Sequence, residues 1–307
     1  MTRTGQRLFT VQMEFLQPRS LDEALAARAE HPGAVPIAGG TDVMVELNFD
    51  RRRPDALLDL SRVTELSGWS QEGGRVRLGA ALTYTRLLEE PAGLVPALAL
   101  AARTVGSPQI RNRGTVGGNL GSASPAGDCH PPLLAAGAEV ELASTSGTRR
   151  LPVGDFFTGP KRHAARDDEL ITAVLVPAAS GPQQFSKVGT RNAMVIAVCS
   201  FALVVRPAER GVGTGIGSAG PVPLQASAAE QLLMGELDEG GLWESRRPLP
   251  PSLVDEFGRR VSGAAAPIDD VRGTAAYRSH ALAVLARRTL LWAWEDYRSG
   301  TDAQVPA

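Results

Sequence analysis

The sequence predicts two domains built from mixed strands and helices. Its 307 residues exceed one typical domain and suffice for two, each with its own core. Short apolar strand-like runs alternate with helical stretches, and there is no internal repeat. Pro177-Ala178-Ala179-Ser180-Gly181-Pro182 breaks that alternation with the composition of a linker.

Each element has a local reason. Ser20 with Glu23 three residues on is a capping box, so a first helix opens there and runs to about Glu30, where His31-Pro32-Gly33 stops it. Residues 35–38 form a short strand that enters Gly39-Gly40. Strands are expected at 56–59 and 75–78, and helices at 84–89 and 94–103. The stretch 105–128, rich in Gly, Ser, Asn and Pro, reads as mostly loop, and one of that length is usually functional. Strands resume at 139–143 and 169–176. Beyond the linker come strand-like runs at 184–188, 197–206 and 212–218, then helical stretches. A last helix over 275–298 spaces Tyr277, Ala281, Val284, Leu285, Leu291 and Trp294 as a core stripe. The polar tail from Ser299 is expected to fray.

Composition excludes several classes of partner. Lys+Arg is 32 and Asp+Glu is 33, which gives no electrostatic pull toward nucleic acid or a membrane surface. No apolar run approaches the roughly 20 residues that span a bilayer. The first residues carry no apolar core or cleavage site, so a cytoplasmic location is expected. Two cysteines, Cys129 and Cys199, cannot build a disulfide framework or ligate an iron–sulfur cluster, which usually takes four. Lys161 and Lys187 stand out as lysines in a chain whose other basic residues are arginines.

Two glycine-rich turns carry the chemistry. The first is Ile37-Ala38-Gly39-Gly40-Thr41-Asp42, at the end of a strand. The second runs from Arg111 through Gly114-Thr115-Val116-Gly117-Gly118-Asn119. Paired glycines let a backbone approach a ligand closely, and successive amides in such turns make anion nests suited to a pyrophosphate. Ordinary glycine turns are the alternative. Gly215-Ile216-Gly217-Ser218-Ala219-Gly220 fits the dinucleotide pattern, but Pro221 and Pro223 forbid the helix that such a site needs. Cys129-His130 offers two ligands where zinc takes three or four, so no metal site is expected. Arg51-Arg52-Arg53 reads as a solvated loop or a contact for a partner.

The second turn with its flanks, TVGSPQIRNRGTVGGN over 104–119 followed by ASPAGD over 123–128, resembles the signature of the flavin subunits of molybdenum hydroxylases. These are the xanthine dehydrogenase and carbon monoxide dehydrogenase family. AGGTD over 38–42 is similar to that family's other flavin motif. The likeness continues through Phe185-Ser186-Lys187 with Arg191, Gly220-Pro221-Val222-Pro223 to Glu230, Arg272 and Tyr277-Arg278, and so spans nearly the whole chain. It implies an α+β fold. A two-lobed FAD-binding domain of the vanillyl-alcohol-oxidase (PCMH) type would occupy 1–178. A smaller α+β domain, a three-stranded antiparallel sheet with helices, would follow over 183–298.

The resemblance also implies a cofactor, FAD, and a set of residues to hold it. By position, Pro36, Ile37, Ala38, Gly39, Gly40, Thr41, Asp42 and Val43 would hold the pyrophosphate together with Thr115, Val116, Gly117, Gly118 and Asn119, which follow Gly114. Asp128 would accept hydrogen bonds from the adenosine ribose. Lys187 would lie at the isoalloxazine edge, where a cation favours negative charge on the ring. Gln109 and Ile110 match positions beside the ring, and Val105 and Ile171 match its apolar walls. A turn-forming role for Asp128 and a surface ion pair for Lys187 are the rival readings. The chain departs from the family at Val195, where an acidic residue often stands.

The implied activity is that of one subunit in a heterotrimeric oxidoreductase. A molybdopterin subunit would hydroxylate the substrate, and electrons would cross two two-iron two-sulfur clusters of a second subunit to FAD on this chain. NAD, dioxygen or another acceptor would then take them. A self-sufficient flavin oxidase of the vanillyl-alcohol-oxidase type is the alternative within enzymes. Such oxidases often tether FAD through a His or Cys in the first glycine motif, and neither is present there. A scaffold without redox function is the alternative outside enzymes.

Overall fold

The computed structural model describes residues 13–300. Of the tail expected to fray from Ser299, Ser299 closes the last helix and Gly300 caps it, and the rest lies outside that range, as does most of the N-terminal segment read for a leader.

Three sheets follow one another along the chain. The first is parallel, in the order β1 (Glu14–Leu16), β3 (Ala56–Asp59), β2 (Val35–Ile37). Parallel neighbours need crossovers, and the helices Leu21–Glu30 and Val43–Asn48 supply them. The serine half of the capping box is formed, with Ser20 Oγ accepting from the Glu23 amide at 3.2 Å, while the Glu23 carboxylate reaches one residue further back and accepts from the Arg19 amide at 2.8 Å. Ala24, Leu25, Leu58 and Leu66 make a small core, which Ala143 and Leu170 join from the second sheet.

That second sheet is antiparallel, ordered β4 (Trp69–Glu72), β5 (Arg75–Gly79), β10 (Leu170–Pro177), β6 (Glu139–Ser144), β7 (Gly147–Pro152). Gly73 and Gly74, with φ of 55° and 75°, turn the β4–β5 hairpin, where two left-handed residues match the strand twist. Alternation splits the faces. Val76, Leu78, Val140, Leu142, Val174 and Val176 lie in a core under the helices Pro96–Arg103 and His130–Ala136. Arg77, Glu141 and Arg150 form ion pairs on the other face, at 2.7 and 2.9 Å. A bulge between Ile171 and Ala173 shifts the β10 register and leaves the Thr172 carbonyl to accept from Ala80. Between β7 and β10 lies a small hairpin, β8 (Phe157–Gly159) with β9 (Arg162–His163).

The third sheet is a meander of β11 (Gln183–Val188), β12 (Cys199–Arg206) and β13 (Gly211–Gly217). It is buried on both faces. Along β11, Phe185 joins the core of the second sheet, while Gln184 and Ser186 bond Asp296 and Thr289 of the last helix. Phe201, Leu203, Val205 and Ile216 meet the helices Ser227–Glu239, Pro251–Gly263 and Ala275–Ser299. The decoy glycines are explained by β13. Gly213 and Gly215 lie so close to the carbonyls of Ala135 and Pro131 that a Cβ on either would strike them, so the helix His130–Ala136 rests on bare backbone.

Three expectations change. The stretch read as loop holds the helices Pro108–Arg111 and Val116–Ser122. Ser107 and Thr115 cap their N-termini, and the glycines of the second had hidden its helical character. The predicted linker is tied on both sides. Ala178 and Ala179 donate to Gly74 and Leu94, and Pro182 accepts from Val205. In the last helix Ala281, Leu285 and Trp294 are buried, but Tyr277 and Leu291 are about half exposed, because the buried face runs through Leu282, Ala286, Leu290 and Ala293.

Candidate functional site

A cleft of about 1050 Å³ opens where the two glycine turns meet. Gly39 makes the meeting possible, since a Cβ there would collide with the Arg113 carbonyl at the start of the second turn. Gly117 is likewise seated on Ala80, whose carbonyl would lie 2.6 Å from an added Cβ. The cleft is at the upper end of the size range for small-molecule and cofactor sites.

The two turns differ in what they offer a ligand. In the first, Gly40 takes φ of 76°, and the amides of Gly39 to Val43 have no hydrogen-bond partner among the described residues. That is an anion nest with its donors free. In the second, the chain has already claimed the amides. Val116 donates to Leu82, Gly117 to Ala80, Gly118 to the Thr115 hydroxyl and Asn119 to the Thr115 carbonyl. This turn presents side chains instead, those of Thr115 and Asn119, and the buried Asn119 Oδ1 has no partner among the described residues.

All the predicted site residues line the cleft except Ile37, Gln109, Val116 and Lys187. Val116 is buried beneath the turn, and Gln109 is exposed away from the cleft. The β10 bulge turns Ile171 toward Gly121 and the cleft wall. Asp128 lies in the wall, nine-tenths buried. Its Oδ2 accepts from Lys187 Nζ at 2.7 Å, while its Oδ1 is buried with no partner among the described residues. Burial raises the Asp128 pKa and the Lys187 ammonium draws it back down. Lys187 also donates to the Thr104 carbonyl at 3.1 Å and is only 8% exposed. Asp128 and Lys187, expected by resemblance at the ribose and the ring, are therefore a single ion pair beside Val105. An extended dinucleotide cannot have its two ends there.

Several lining residues were not picked out from the sequence. Lys161 reaches over from the turn of the β8–β9 hairpin to Glu46, 2.7 Å away, and that hydrogen bond holds the Glu46 carboxyl below its usual range. Burial raises the Asp42 carboxyl, against the pull of Lys161. His163, stacked on Phe156, is lowered by burial and by Arg28. Met194 and Ile196, each more than half exposed, border the cleft with Val195 from the loop between β11 and β12. Of these, Lys161 stood out as a lysine, Asp42 was expected at the site and Val195 was noted as a departure from the family; nothing marked the rest. Cys129 and His130 are buried under the wall, where His130 Nε2 meets the Asn119 carbonyl and burial drives the ring down to about 4.

The residues present fit a dinucleotide with a negatively charged bridge and hydroxyl donors, as FAD has. The free nest suits the bridge, the bare Asp128 Oδ1 suits a donor, and Val105, Ile110 and Ile171 supply apolar wall. Comparison with known proteins agrees. Residues 11–179 match the model of the FAD binding domain in molybdopterin dehydrogenase, and residues 184–293 match the CO dehydrogenase flavoprotein C-terminal domain. The chain belongs to this family of FAD-binding medium subunits, and its cofactor is FAD. It is 36% identical over 235 residues to the nicotinate dehydrogenase FAD-subunit of Eubacterium barkeri, covering 72% of this chain and 79% of that one. It is 29% identical to a putative xanthine dehydrogenase FAD-binding subunit of Escherichia coli, over 88% and 92% of the two chains. A solved carbon monoxide dehydrogenase from Hydrogenophaga pseudoflava superimposes with a TM-score of 0.83 at 27% identity, over 92% and 98%. The fold is the family's two-domain FAD-binding fold.

Proposed function

We propose that this chain is the electron-exit subunit of a molybdenum hydroxylase. A partner with two two-iron two-sulfur clusters delivers electrons drawn from a molybdopterin subunit, and NAD, dioxygen or another acceptor takes them. The carrying observation is the meeting of the two glycine turns at Gly39 and Arg113 beside a nest of unused amides. FAD supplies two-electron redox chemistry when bound.

The residues divide that work. The amides of Gly39 to Val43 bind the diphosphate, and Thr115 and Asn119 flank it. Val105, Ile110 and Ile171 wall the ring and exclude water. Asp128 takes a hydroxyl or N–H donor of the cofactor on Oδ1. In this reading residues 1–178 hold the cofactor, and 183–298 close its ring end through Met194, Val195 and Ile196. The exposed Arg51 and Arg52 at the rim suit an acidic partner face. Cytoplasmic location and a heterotrimer with the two partners complete the proposal.

The test is spectroscopic. The purified chain shows flavin bands, acid precipitation releases FAD to the supernatant, and no purine, aldehyde or heteroaromatic is hydroxylated without partners. Hydroxylation by the chain alone would refute the subunit reading. A coloured pellet would favour a tethered oxidase, with His163 on the cleft as the attachment candidate.

A further inference from the structure

Lys187 is the second domain's charged contribution to a carboxylate of the first, and it meets the cleft through that carboxylate without lining the cleft itself. β11 presents its odd residues to the first domain: Gln183 accepts from the Ala97 amide, Phe185 enters the core, and Lys187 reaches Asp128 and the Thr104 carbonyl. The loop that carries Asp128 is gripped a second time from the same sheet, because the Ser218 amide at the end of β13 donates to the Pro125 carbonyl at 2.9 Å. The ammonium is spent on Oδ2 and the Thr104 carbonyl, whereas the cleft-lining Asp128 keeps Oδ1 buried and, among the described residues, unpartnered. A lone carboxylate so buried would bind a proton rather than stay charged. An ammonium at hydrogen-bond distance prevents that and fixes the carboxylate's rotation.

We infer that Lys187 is a positioning residue: from the second domain it holds Asp128 ionised and aimed, so that docking of the two domains completes the FAD site of the first. This rests on FAD binding in the cleft. The other groups against Asp128 are the Thr104 hydroxyl, the Tyr84 phenol and the Cys129 thiol. Burial raises Tyr84 and pushes Cys129 up to about 12, so both stay neutral near neutral pH and leave Lys187 as the charge that sets Asp128.

The inference is tested by titrating FAD into the full-length apoprotein and its Lys187→Gln, Lys187→Arg, Asp128→Asn and Lys187→Gln/Asp128→Asn variants between pH 5.5 and 8.5, an interval of about 3 units in which an ordinary carboxyl stays charged and a displaced one titrates, while the histidines titrate alike in every variant. Wild type and Lys187→Arg should bind with little pH dependence. Lys187→Gln should lose about tenfold or more at the acid end and recover as pH rises, since proton uptake removes the acceptor charge. Asp128→Asn should be weak at every pH, and adding Lys187→Gln to it should cost nothing further. If Lys187→Gln does not fold, that last comparison still decides. Additive losses in the double variant, or a flat pH profile in a folded Lys187→Gln, would overturn the inference while leaving FAD binding intact. Failure of the wild type to bind FAD would overturn both.

Discussion

Gly39 and Gly40 are adjacent but lack side chains for different reasons, and substitution separates them. Gly39 has ordinary backbone angles and no room; Gly40 has room and a φ of 76°. Gly40→Val should therefore distort the nest and weaken FAD binding by about tenfold or more, at a stability cost of about 1–3 kcal/mol for a strained residue. Gly39→Ala should cost more stability, because its Cβ pushes the two turns apart. Fluorescence titration with FAD and denaturant unfolding measure both, and wild-type affinity in Gly40→Val would remove the first turn from the site. Gly117 is not a clean probe of binding, since Ala80 fills the space a side chain needs. Both thiols are buried and pushed up to about 12, so Cys129 and Cys199 should resist a thiol reagent at pH 8 until the chain unfolds. Rapid labelling of either in the native protein would contradict that burial. Motif positions were legible at this scale, since they are local in sequence. The Asp128–Lys187 pair was not, because 59 residues separate its members and no periodicity links them.

Elements with a buried interior or a clear boundary residue were readable in advance, among them the helix opened by Ser20 and the strands 56–59 and 139–143, which are buried on both faces. The two edge strands of the second sheet were not. β4 and β7 bury none of their residues fully, so their sequences carry little apolar alternation to read. The helix Val116–Ser122 was hidden by Gly117, Gly118 and Gly121, whose low propensity is overridden by the Thr115 cap and by packing against Ala80. The glycine run of β13, set aside as a dinucleotide site because of Pro221 and Pro223, has its reason in packing: its glycines alternate because a helix lies across them. Gly215→Val should separate that helix from the strand and destabilise the fold by about 3 kcal/mol or more. A thermal melt indistinguishable from wild type would show that the helix does not bear on β13.

At the level of the whole molecule the third sheet belongs to two cores. One face meets the C-terminal helices, and the other completes the core of the FAD-binding part. Unfolding should therefore be a single transition reported alike by flavin release and far-UV signal; two separated transitions would refute the shared core. Its pH dependence has a named source. His130, 1% exposed, falls to about 4 from its ordinary 6.5, so the folded state holds it neutral. A depressed folded pKa gives a contribution that is complete above about 6.5 and is lost as pH falls toward 4, up to about 3 kcal/mol. The unfolding midpoint should drop across that window, and His130→Gln should drop less.

The grip of β11 and β13 on the loop around Asp128 also has a consequence for biosynthesis. A nascent chain emerges from its N-terminus, so both glycine turns are outside the ribosome well before Lys187, and Ser218 follows later still. Until then the helix His130–Ala136 lacks the strand that it rests on, and Asp128 lacks its counter-charge. Cofactor capture is thus a late event: stalled chains ending near residue 180 should stay colourless in FAD concentrations that load the finished protein.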